Sequence, residues 1–378
     1  MQNGATKHIS VAGAIGLCLK KNIRFAAYRL PNGENPEIVV QFAPTHQMVS
    51  VYDLPHDIKG FLVVPFSINI YSPAFIINPD IYACGCLSEL QLKQLNILKP
   101  EPVQSNESHI PDEVSHNGYI NQIETILEGI GNGKFEKVVL SRVKTINGSY
   151  IPVLPEIFSL LCKSNPNAFV YIFNAGPHLW IGATPEPFLK AKNGTMQTVS
   201  LAGTRPYNEK NSNIGAWNSK ERLEQEYVTR YIAGVLAHFN VKDVDLQGPY
   251  TKKAGNLLHL RTDFTFRSEE IIEKLGLFLN RLHPTPAVCG MPLHESLELL
   301  QGLEKHDREY YAGFLGPVGL NDRLSLFVNL RCMKVLTETL ALFVGGGITA
   351  DSVPEDEWLE TEMKAETLLS VIQTISKH

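Results

Sequence analysis

A chain of 378 residues can bury one large core or two ordinary ones, so length alone predicts two domains or one large mixed sheet. A formal net charge of -5 at pH 7, with no Lys/Arg-rich block, disfavours a nucleic-acid partner, and no apolar run is long enough to span a bilayer. Six cysteines, of which only Cys84 and Cys86 are close together, do not make a disulfide framework; buried free thiols and a cytoplasmic setting are expected.

Val11 to Leu19 is apolar but runs into Lys20 and Lys21 with no small-residue cleavage site, and reads as an N-terminal helix of the folded protein. Short strands follow (Ile23 to Tyr28, Ile38 to Phe42, Phe61 to Val64) with no concentration of chemistry. Lys99 to Gly118 is polar, with Pro102, Asn106, Ser108, Pro111 and Asn117, and suggests a linker or long surface connection. Tyr119 to Ile130 has helical spacing and ends among Gly129, Gly131 and Gly133.

Phe135 to Val143 is a strand by alternation, and period two puts Lys137, Val139, Ser141 and Val143 on one face. A lysine among valines is either an edge gatekeeper or a desolvated amine able to act as a general base. The strands Phe169 to Phe173 and Leu179 to Gly182 deliver Thr184-Pro185-Glu186-Pro187. Two prolines restrict the backbone around Glu186, which suits a general acid, although a plain solvated turn has the same sequence.

Ser200 to Pro206 places Gly203 beside Thr204 and Arg205, polar groups able to contact an anion. Asn218 or Ser219 caps a helix whose apolar face is Leu223, Tyr227, Val228, Ile232, Val235 and Leu236, and which carries Glu221 and Glu224. Leu257 to Phe264 is a strand with a lone histidine, His259, without the companions of a zinc site. His283 to Pro292 is a proline-punctuated rigid loop. Arg308 to Gly313 and the strand Leu324 to Met333 bring Tyr311 and Arg331; a guanidinium in an apolar strand calls for a buried anion, from the protein or from a ligand.

Near the C-terminus, a strand (Thr339 to Val344) runs into Gly345-Gly346-Gly347 and a short loop with Asp351 and Ser352 as candidate caps. A helix then begins near Pro354, with Met363, Leu368, Val371, Ile372 and Ile375 at apolar positions. Glycine amides unshielded by any Cβ admit an anion closely, while three glycines also make an ordinary turn. Glu357, Glu360 and Lys364 share one helical stripe, either a solvated face or part of a metal site. Two facing helices with Glu-x-x-Glu pairs supply the oxygen ligands that Mg²⁺ prefers.

Together these residues give a chain that resembles the chorismate-utilising enzymes: isochorismate synthase, salicylate synthase and the large components of anthranilate and aminodeoxychorismate synthase. The resemblance runs from about Lys134 to the C-terminus, and residues 1–105 resemble only the family's variable N-terminal part, ahead of a chorismate-binding catalytic region at 106–378. It implies an α+β fold of large, mostly antiparallel sheets packed together with helices outside. Lys137 takes the position of the water-activating base and Glu186 that of the acid. Glu224 and Glu360 would ligate Mg²⁺, with Glu221 and Glu357 supporting through water. Substrate would meet Gly203, Thr204, His259, Ala287, Tyr311, Arg331, Gly345, Gly346, Gly347 and Lys364.

Three positions separate the branches. Anthranilate synthases carry Gln where Lys137 stands, aminodeoxychorismate synthases a nucleophilic Lys where Ala202 stands, and salicylate synthases usually Thr where Ala287 stands. The resemblance therefore implies an isochorismate synthase, a hydroxymutase feeding menaquinone or catechol siderophore synthesis, with chorismate as ligand and no glutamine amidotransferase subunit. A salicylate synthase and a catalytically silent chorismate-binding protein are the alternatives.

Overall fold

In a computed structural model, residues 8–45, 47–55, 57–102, 110–207, 214–254 and 257–375 are described. Among them the strands form two nine-stranded sheets and one two-stranded sheet. The first sheet runs, edge to edge, Gly290–Met291, Lys137–Asn147, Thr339–Ile348, Cys332–Val335, His178–Thr184, Phe169–Ala175, Phe25–Arg29, Glu37–Val40 and Ile81–Cys84. The second runs Asp245–Ala254, Leu257–Arg267, Thr195–Pro206, Pro187–Lys192, Arg323–Val328, Phe314–Leu320, Gly60–Val64, Phe75–Ile77 and Gln47–Met48. Adjacent strands are antiparallel, as in the central pairs Phe169–Ala175 with His178–Thr184 and Thr195–Pro206 with Leu257–Arg267.

The sheets pack face to face over an aromatic core. Phe169 of the first stacks on Phe327 of the second with ring centroids 4.1 Å apart, and Tyr28 meets Phe61 at 5.5 Å. Burying each such ring contributes roughly 1.5–3 kcal/mol by transfer out of water. The outer face of the first sheet is covered by the helices Val11–Lys21, Leu154–Ser164 and Pro354–Ile375, through residues such as Ile15, Phe158, Leu368 and Ile372. The helix Ser219–His238 lays Val228, Ile232, Val235 and Leu236 against the second sheet. This is the α+β arrangement expected, and among the described residues no helix is long and apolar enough to cross a membrane.

Several local expectations are corrected. Gly345–Gly347 do not form a turn; they lie inside the strand Thr339–Ile348, because the strand Lys137–Asn147 pairs with them to its end. Arg331 is not within a strand but sits between Arg323–Val328 and Cys332–Val335 at φ 48°, the left-handed region. Leu223 and Met363 point away from their helices' buried faces and are largely exposed. Cys84 and Cys86 are also exposed, where the strand Ile81–Cys84 turns through Gly85 into a two-residue strand at the surface. The 105/106 boundary and residues 103–109 of the polar stretch around it lie outside the described residues.

Residues from the first third of the chain enter both sheets, and a buried ionic knot ties them across the layers. Glu37 accepts hydrogen bonds from Tyr28 Oη at 2.9 Å and Tyr82 Oη at 2.5 Å, and it pairs with Arg323 of the opposite sheet at 2.5 Å. Removing one partner of such a knot strands the other charge. Glu37→Ala is expected to lower unfolding free energy by about 3 kcal/mol, read as a shifted midpoint in urea denaturation.

Candidate active site

The site is built on the strand pair Lys137–Asn147 and Thr339–Ile348, whose register sets Gly345 against Ser141, Gly346 against Leu140 and Gly347 against Val139. None of these glycines has a left-handed φ, so conformational freedom is not what they supply. They supply clearance. A Cβ on Gly347 would stand 2.5 Å from Glu224 Oε1 and 2.9 Å from Lys137 Cε; one on Gly345 would meet Leu140 O at 2.7 Å and Tyr311 Oη at 2.8 Å. Lys137 is completely buried, and its Nζ lies 3.0 Å from Glu224 Oε1, an ionic contact whose angle falls short of a directed hydrogen bond.

The acidic residues come from two helices that meet over those glycines. Asn218 caps Ser219–His238 through a reciprocal box: its side chain accepts from Glu221 N at 3.2 Å, and Glu221 accepts from Asn218 N at 3.1 Å. That box turns Glu221 aside, toward Arg205 Nε at 2.8 Å. Glu224, one turn on, reaches Gly347, while Glu357 and Glu360 from the C-terminal helix lie over Gly346. Each is matched by a lysine: Lys220 with Glu357 at 2.5 Å, and Lys364 with Glu360 at 2.7 Å as well as Gly345 O at 2.9 Å. Burial pushes the Glu224 carboxyl up, but Lys137, with Lys364 and Lys220, holds it below the usual carboxylate range. Glu357 stays raised, through burial and then the neighbouring Glu360 charge, despite Lys220.

The opposite wall carries Glu186, His259 and Arg331. Burial pushes the Glu186 carboxyl up to about 7, even with Lys137, Lys364 and Arg331 drawing it down. A near-even mixture of acid and carboxylate at neutral pH suits proton transfer. His259 Nδ1 lies 3.0 Å from Gly203 O, so it donates there, leaving Nε2 to accept from Arg331 Nη2 at 3.3 Å. Burial, reinforced by Arg331 and Lys364, lowers His259 to about 3, which keeps the ring neutral. Burial likewise lowers Arg331 to about 10, while Glu186 supports its charge.

Between these walls lies a cleft of about 740 Å³ of empty space. It is lined by Glu186, Gly203, Thr204, Glu224, His259, Ala287, Tyr311, Arg331, Gly345, Gly346, Gly347 and Lys364. Lys137, Glu357 and Glu360 stand behind the glycines instead of on the lining, and Glu221 stands behind Gly203. Sequence reasoning did not single out the apolar wall formed by Val288, Leu330 and Phe343. It also passed over Lys220. Val139 alone had a signal, as a residue sharing the Lys137 face.

Glu224, Glu357 and Glu360 offer only oxygen donors, and bare Gly347 leaves beside Glu224 a space that a Cβ would fill, which fits a hard divalent cation. With the carboxylates drawn onto lysines, no three His, Cys, Asp or Glu among the described residues stand ready around one point. Binding such an ion therefore means exchanging lysine partners for it.

A sequence model of the family described as "Chorismate binding enzyme" matches residues 77–373. Isochorismate synthase MenF of Bacillus subtilis (strain 168) is 28% identical over 269 residues, 69% of this chain and 56% of that one. Anthranilate synthase component 1 of Bacillus pumilus is 27% identical over 295 residues, 76% of this chain and 57% of that one. The chain thus spans little more than half the length of these relatives. The solved menaquinone-specific isochorismate synthase MenF from Escherichia coli superposes with a TM-score of 0.72 at 20% identity, covering 97% of this chain and 94% of that one, a likeness of fold.

The glycines give a test by contrast. In Gly347→Ala the new methyl meets movable side-chain ends, so the melting temperature should hold while Glu224 is displaced and divalent-cation affinity, read by calorimetry, falls. In Gly345→Ala the methyl meets backbone, and thermal unfolding should instead show destabilisation of about 1–3 kcal/mol.

Proposed function

The chain belongs to the chorismate-binding enzyme family, and we propose that within it the protein is an isochorismate synthase, reversibly converting chorismate to isochorismate. The observation that carries this reading is the pairing, around one cleft, of a buried lysine with a carboxyl poised near neutrality. Water adds at ring C2 and hydroxide leaves from C4 as the two ring double bonds shift. Lys137, in its uncharged form, accepts the proton of the attacking water. Glu186, in its protonated form, gives a proton to the departing hydroxyl, so one water is consumed and one released. Arg331 and Tyr311 hold the enolpyruvyl carboxylate beside Gly345–Gly347, and His259 lies against the ring with Thr204 near the ring carboxylate.

Magnesium held by Glu224 and Glu360, with Glu357 assisting through water, would fix and neutralise the ring carboxylate. Glu221 would act more remotely, by keeping Arg205 in place. Lys137, Ala202 and Ala287 support this branch over the amino-forming and salicylate-forming ones, and no glutamine amidotransferase subunit is called for. The product would feed menaquinone or catechol siderophore synthesis.

Purified protein with chorismate and Mg²⁺ should give an isomer of equal mass by chromatography and mass spectrometry, and a chelator should stop it. Salicylate with pyruvate would point to the salicylate branch, and untouched substrate to a silent binding protein. Lys137→Ala should reduce the rate by about 10²–10⁴-fold while chorismate binding persists. Because Glu186 must be protonated in the forward direction, its kcat should fall as pH rises through about 7, and Glu186→Gln should abolish that limb together with turnover.

A further inference from the structure

Behind the cleft sits a charged cluster that the mechanism does not use. Arg308 and Glu304 are both almost wholly buried, in a segment, Glu304-Lys-His-Asp-Arg308, that follows the helix Leu293–Leu303. Their pair is bidentate: Arg308 Nε donates to Glu304 Oε2 at 2.8 Å and Nη2 to Oε1 at 2.6 Å. The remaining contacts are structural in an unusual way, because they end on the backbone of cleft walls. Arg308 Nη2 also donates to Val139 O at 2.6 Å, and Nη1 donates to Val288 O at 2.7 Å. Glu304 Oε1 accepts from Ser141 N at 2.7 Å and Ser141 Oγ at 2.8 Å. Arg308 O accepts from Tyr311 N at 2.8 Å, and the guanidinium stacks over Phe66 at 4.4 Å.

Val139, Val288 and Tyr311 each line the cleft, and they arrive from three different segments. One planar guanidinium, carried by the turn that leads to Tyr311, therefore ties the lysine strand to the loop that carries Ala287, beside the direct bond from Val139 N to Cys289 O at 2.7 Å. We infer that Arg308 and Glu304 are positioning residues, which hold the base-bearing strand at a fixed distance from the wall against which the substrate ring is pressed. A guanidinium suits this task because its donors diverge in a rigid plane, whereas a lysine ammonium reaches the same acceptors only one at a time. Burial costs are met by the bidentate pair, so the fork is rigid as well as charged.

The inference rests on the isochorismate synthase reading only for its turnover readout. Arg308→Lys and Glu304→Gln are compared with the wild type by calorimetric chorismate stoichiometry, kcat per binding-competent chain, and amide exchange by mass spectrometry. Positioning predicts a kcat per competent chain lower by about 10²-fold, with exchange faster in residues 137–141 and 285–289 and unchanged in Phe169–Ala175. Retention of kcat per competent chain within about twofold, or a loss of protection spread evenly over both sheets, would overturn it in favour of a bulk stabilising pair. If the wild type leaves chorismate unchanged, the functional reading fails, while the exchange comparison still decides whether the fork fixes these walls.

Discussion

The antiparallel pairing of Lys137–Asn147 with Thr339–Ile348 is the constraint on which the site depends. It brings together residues some two hundred positions apart in sequence, and its register sets Gly347 against Val139, with the Lys137 side chain reaching across to Gly347. The chain then leaves the glycine strand through Thr349 to Val353 and enters the C-terminal helix, so Glu357 and Glu360 return over the same glycines. Glycine is a weak strand former, so the ladder needs support from its other face. Arg142 supplies it: its guanidinium lies 3.8 Å above the Trp358 ring, and Nε donates to Thr361 Oγ1 at 2.8 Å. One face of the strand thus carries the proposed base while the other clamps the acidic helix.

The electrostatics follow from that packing. Three carboxylates and three lysines gather around the glycine strand, two of them on the cleft lining and the rest behind it, and pairing at 2.5–3.0 Å makes their burial tolerable. Across the cleft Glu186 is the more deeply buried and, among the described residues, has no cation paired so closely with it, and its pKa rises where that of Glu224 falls. Two carboxyls in one cavity are therefore tuned in opposite directions by their neighbours, the condition for one to stay a ligand and the other to carry a proton.

Elements with strong local patterns were legible in sequence. Period two correctly put Lys137 on the face of Val139 and Ser141, and the Asn218 cap with Glu221 three positions on marked the helix start. The glycine triplet was misread because a turn and a close-packed strand share the same local sequence; only the partner strand, far away in the chain, distinguishes them. The apolar cleft wall was invisible for a related reason, since Leu330 and Phe343 look like any core residues until the sheets close. Glu304 and Arg308 carry no local signal, and the burial of their side chains, with Lys305 and Asp307 exposed between them, is a property of the segments that wrap them. Exposed Cys84 and Cys86 were missed because a Gly85 turn carries them to the surface at the end of an otherwise buried strand.

Charge balance links the floor to its proposed ligands. Each of the three carboxylates stands against one lysine. A divalent cation alone would add two charges to a buried, low-dielectric space, and a substrate bearing two carboxylates would subtract two. Either one entering alone leaves an uncompensated charge, which burial penalises severely. Entering together, they bring charges that cancel. Chorismate and magnesium, as the proposed ligands of this cleft, should therefore each strengthen the binding of the other, by the same factor in both directions.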